Sequence, residues 1–66
     1  MLSLKFQKRI YDAHREHKIV RHGNYEYCIG YNACASIHTW IIRSVAYKDD
    51  WHWLQPLDKE IKLVWE

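Results

Sequence analysis

The chain has 66 residues, ten Lys or Arg against eight Asp or Glu, a formal net charge of +2, two Gly and one Pro. That length makes one domain with a small core, which excludes a multidomain enzyme, and so weak a charge argues against a dedicated polyanion binder. Four Trp, five Tyr and one Phe make up 15% of the sequence. This is more ring surface than a small interior hides, so part of it is expected at a surface that recognises another molecule.

The first predicted element is a helix over residues 3–17. Leu2, Phe6, Ile10, Ala13 and His17 fall on one side of a 3.6-residue wheel, with Lys5, Lys8, Arg9, Asp12, Arg15 and Glu16 on the other. Ser3 is placed to cap its start, and Lys8 and Asp12, four apart, are placed to pair. Residues 18–30 follow as a hairpin, in which Lys18–His22 and Tyr25–Ile29 flank Gly23-Asn24. Glycine at the first central position suits a type II′ turn, and that register sets Arg21 opposite Glu26 and Val20 opposite Tyr27. Gly30 and Asn32 then loosen the chain.

Residues 37–47 are rich in β-branched and aromatic side chains, which favours a strand. The competing reading is a second helix over 33–47, because Ala33, Ile37, Trp40, Ile41 and Val45 line one helical side that Asn32 could cap. The strand is preferred because Lys48-Asp49-Asp50 then turns into Trp51-His52-Trp53-Leu54, which Pro56 should end or place at a sheet edge. A turn at 57–60 and a last strand at 61–65 complete the pattern. The whole is an α+β fold, an N-terminal helix packed on a small antiparallel sheet, forming a single domain over 1–66. Exposed strand edges in such a sheet make a homo-oligomer an open alternative.

Residues 1–9 carry no long apolar run and no small-residue cleavage site, and no stretch is long enough to span a bilayer. A cytoplasmic protein without a membrane partner is therefore expected, with Cys28 and Cys34 as reduced thiols. A Cys28–Cys34 bridge would need an oxidising compartment. Five histidines add ligand capacity, and His14 and His17 lie one helical turn apart. The short knuckle spacing of structural zinc sites is missing, so no metal and no cofactor is assigned. Nor is there a phosphate-binding glycine loop, a nucleophile elbow or a metalloprotease motif. His38, Arg43 and His52 could be cast as an RNase-like set, but any basic, His-rich chain supplies one, so no catalytic residue and no enzyme is predicted.

Two aromatic pairs remain, Tyr25-x-Tyr27 and Trp51-x-Trp53. On a strand, residues two apart share a face about 7 Å apart. Rings so spaced can anchor a protein interface or stack bases. Residues 1–22 hold six basic against two acidic residues, whereas 48–66 hold three basic against five acidic. The function expected from these features is a small non-enzymatic binding protein, an accessory or inhibitor factor of the size class that phage and mobile elements encode. It would occlude a larger protein through Trp51, Trp53, Tyr25 and Arg43. The alternative is a nucleic-acid-binding module that uses a basic helix face of Lys5, Lys8, Arg9 and Arg15 with stacking aromatics.

Overall fold

The computed structural model describes residues 2–63. It contains one helix, α1 (Leu4–Arg15), and four strands, β1 (Val20–His22), β2 (Tyr25–Asn32), β3 (Ile37–Ser44) and β4 (His52–Pro56). The strands form one antiparallel sheet in the order β1-β2-β3-β4, and α1 packs on one face of it. This is the α+β arrangement that the sequence pattern implies.

Ser3 caps α1 as its position suggests, its hydroxyl accepting the Phe6 N–H at 3.2 Å. The helix ends before residue 17 in a paired-carbonyl cap. The Lys18 N–H donates to the Ala13 carbonyl at 2.9 Å and the His17 N–H to the His14 carbonyl at 3.0 Å. This geometry forces His17 into the left-handed region, at φ 59°. His17 is thereby exposed in a turn and leaves the apolar stripe on which the wheel places it. Among the described residues, the expected Lys8–Asp12 ion pair does not form.

Ile10 lies at the centre of the buried helix stripe, flanked by Tyr11 and by the partly buried Phe6 and Ala13. Opposite it the sheet supplies Val20, Ile29 and Trp40, the last 0% exposed. Gln7 is also buried, at 2% exposure. Its carboxamide survives there because it is bonded on both sides. Nε2 donates to the Leu2 carbonyl at 3.0 Å, while Oε1 accepts the Trp40 indole N–H at 2.9 Å and the Asp58 N–H at 3.0 Å. One side chain so ties the helix, the central strand β3 and the segment that follows β4.

The hairpin has the expected register, Val20 with Tyr27 and Arg21 with Glu26. Gly23 has φ 63° and Asn24 is not in the positive region, as a type II′ turn requires. β2 does not loosen at Gly30 but continues to Asn32, where the Asn32 side chain accepts the N–H groups of Cys34 and Ala35 and closes the 33–36 turn. Residues 37–44 are a strand, so the second-helix alternative over 33–47 is overturned: eight successive ladder partners with β2 outweigh the helical spacing. β4 is an edge strand that Pro56 ends, where its missing N–H costs no ladder bond. Residues 61–63 are irregular and not a strand, and Ile61 and Leu63 pack against the core. The remainder of the predicted last strand, Val64 and Trp65, lies outside the described residues.

Candidate functional site

Because α1 and residues 57–63 pack on the same side of the sheet, the other side is left without a covering element among the described residues. Strand alternation sorts the side chains. Tyr27, Ile29, Trp40 and Ile42 point to the helix, and Glu26, Cys28, Gly30, Ile41 and Arg43 point to the open side.

β4 would not present its tryptophans there without a defect in the ladder. Trp40 pairs with Gln55 and Ile41 with Trp53, so Leu54 is an extra residue, a β-bulge. The bulge sends Gln55 to the helix side, where its Oε1 accepts the Leu2 N–H at 3.1 Å, and Trp53 to the open side. Gly30 makes room for the indole: a Cβ placed on it would lie 3.2 Å from the Trp53 ring and 3.1 Å from Ile41. Trp53 therefore lies across β3 towards β2, and it is still 55% exposed.

Arg43 is fixed on this face from three directions. Its Nε donates to Glu26 at 2.9 Å, a second nitrogen donates to the Lys48 carbonyl, and its guanidinium carbon lies 4.1 Å from the centre of the Trp51 ring. Arg21 meets the other oxygen of Glu26 at 3.5 Å, so two guanidinium groups share one largely buried carboxylate. Trp51, Trp53, Ile41 and Arg43 thus form one semi-rigid patch. Its charge is already balanced except for one unit, and that unit lies at the Arg21 rim. On the same face Thr39 is buried with its hydroxyl unpartnered.

Tyr25 is not part of this patch. It neighbours Glu26 on β2 and so faces the helix side, paired with His22 and Ser44 and about half exposed. Tyr27 belongs to the interior, its ring edge-on to Phe6 at 5.2 Å. Lys5, Lys8 and Arg9 lie together along α1, where they line a groove against β1, and Arg15 stands apart over the Tyr11 ring at 5.9 Å. These basic residues are on the opposite side of the sheet from Trp51 and Trp53.

Among the described residues, His38, Arg43 and His52 are not brought together. His38 faces the helix side against Tyr31, Arg43 faces the open side, and His52 is exposed beside Asp50 at 3.0 Å. No three His, Cys, Asp or Glu among the described residues are placed to hold a metal ion. Cys28 lies mid-strand, and burial pushes its thiol up despite the nearby Arg43. Cys34 is exposed in the 33–36 turn. The four strand steps from residue 28 to residue 32 alone span about 13 Å, beyond the reach of a disulfide. No helix among the described residues is long and apolar enough to cross a membrane.

Of the residues that the sequence pattern singles out, Trp51, Trp53 and Arg43 come together on one face of the sheet. The pattern misses Gly30 and Ile41, which form the floor of the patch, and Glu26, which neutralises it. The cue for Gly30 was present, since an isolated glycine within a strand often marks a close approach by another group. Comparison with known proteins adds no guide: no family model, no curated protein and no solved structure matches the chain.

Proposed function

We propose that the protein is a small non-enzymatic binding factor that occludes a surface of a larger protein through the open face of its sheet, with Trp51 and Trp53 as anchors. The observation that carries this reading is the separation of charge from aromatics. A nucleic-acid module that stacks bases on Trp51 and Trp53 needs unpaired cations beside those rings. Here Arg43 is bound to Glu26, and Lys5, Lys8 and Arg9 lie across the sheet. Neutralised polar groups around one half-exposed and one partly buried indole are the chemistry of a protein interface, where Trp and Arg supply most of the binding energy.

The test is affinity capture from a lysate with nuclease, at low and high salt, comparing the parent with Trp51→Ala/Trp53→Ala. A protein captured by the parent at both salt concentrations and lost in the variant is the expected result. The variant should keep its circular dichroism spectrum and melting transition, because the patch lies outside the main core. Identical capture by both proteins, or capture of nucleic acid alone, overturns the reading. An unfolded variant would instead make the pair structural.

A further inference from the structure

A second surface lies on the other side of the molecule, where α1 runs alongside β1. Because the chain reverses through residues 16–19, the helix and β1 are antiparallel, and Phe6 meets His22 with ring centres 5.4 Å apart. A groove runs between them, floored by Phe6, Ile19 and Val20. Its two ends differ in charge. At the N-terminal end of α1 stand Lys5, Lys8 and Arg9, and among the described residues none of the three has a carboxylate in ion-pair range. At the other end Asp12 and Glu16 face Lys18, which is 3.8 Å from Glu16.

Among the described residues, the wall opposite the helix is a strand edge with no neighbour. β1 is the outermost strand, and the two-residue turn makes His22 and Tyr25 the pair that exchanges both hydrogen bonds. The next residue, Arg21, therefore turns its N–H and C=O outward. Its guanidinium is drawn to Glu26 on the open face, so Arg21 offers the groove its backbone. Proteins usually blunt such an edge with a charge, a proline or a cover. This one is short and has cations along it, so it accepts an extended segment only if that segment brings negative charge.

We infer that this groove receives an extended acidic peptide segment, which adds to the sheet as a strand outside β1. Its backbone pairs with Arg21, its alternate apolar side chains rest on Phe6 and Ile19, and its carboxylates lie towards Lys5, Lys8 and Arg9. Backbone pairing supplies affinity and the side-chain contacts supply selectivity, as in other strand-addition sites. A peptide fits the groove better than a nucleic acid does. Asp12 and Glu16 would repel a phosphate chain that follows the groove along its length, whereas a peptide confines its carboxylates to the end where Lys5, Lys8 and Arg9 stand.

The site is separate from the Trp51/Trp53 patch, and the experiment keeps the two apart. A random linear peptide library displayed on phage is selected on the immobilised full-length protein, and enriched peptides are titrated by fluorescence anisotropy. The expected peptides are acidic, with alternating apolar residues. Their affinity should fall about ten-fold or more in Lys5→Glu/Arg9→Glu and in Lys8→Glu, fall with added salt, and stay unchanged in Trp51→Ala/Trp53→Ala. All three charge sites are exposed, so the variants should melt as the parent does. No enrichment over a bare surface, enrichment without acidic bias, or equal binding by the charge-reversed proteins would overturn the inference. Displacement of the peptides by a single-stranded oligonucleotide that binds more tightly would assign the groove to nucleic acid instead.

Discussion

Gln7 shows how one polar side chain organises a core this small. Its Oε1 accepts the indole N–H of Trp40 at 2.9 Å, and Trp40 is fully buried. Leucine at position 7 would satisfy the hydrophobic stripe of α1 yet leave that N–H with nothing to donate to, and would free the Asp58 N–H as well. Leaving a buried donor unsatisfied costs about 1–3 kcal/mol, so Gln7→Leu should destabilise the protein by about 2–3 kcal/mol in urea unfolding. A loss below about 1 kcal/mol would mean that water or a shifted neighbour takes over the bond. None of this is legible from the wheel, which puts Gln7 beside the apolar stripe without indicating that Trp40, thirty-three residues on, needs an acceptor.

Among the elements, the helix shows where local preference and final geometry disagree. The C-terminal cap of α1 places His17 at φ 59°, a conformation natural to glycine and costly for a residue with a Cβ. His17→Gly should therefore stabilise the protein by about 1 kcal/mol, read as a higher urea midpoint at unchanged slope. His17→Ala, which removes the imidazole but keeps the Cβ, should give no such gain; an equal gain would trace the effect to the ring and not to the backbone. The hairpin was readable because a two-residue loop with glycine first allows few geometries, and because Arg21 and Glu26 attract across it. The strand at 37–44 was readable from its β-branched residues once the acidic turn after it was recognised. The faces were less so. Trp51 and Trp53 share a side by simple alternation, but their meeting with Gly30 and Ile41 depends on the bulge at Leu54. Tyr25 sits on the other side of the sheet because a register set by the distant 33–36 turn makes Glu26 the partner of Arg43.

At the scale of the whole molecule, a single helix on a four-stranded sheet leaves two outward surfaces of different chemistry, and the join between layers is also where pH acts. His14 at the end of α1 lies near His17 in the turn and His38 on β3. Burial first, and then these two neighbours, hold its pKa below the ordinary 6.5. The unfolded chain, where His14 titrates normally, binds more protons than the folded one in the interval below 6.5. Stability from this source is therefore fully present above that value and is lost as pH falls through it towards the folded pKa. His14 is only partly buried, so the effect is modest. The urea midpoint should hold level from about pH 8 to 7 and decline below about 6.5. His14→Gln, which cannot charge, should flatten the decline. If the variant falls as steeply as the parent, the acid sensitivity arises elsewhere. If the parent shows no decline between about pH 7 and 5, burial and its two neighbours do not hold the pKa of His14 down.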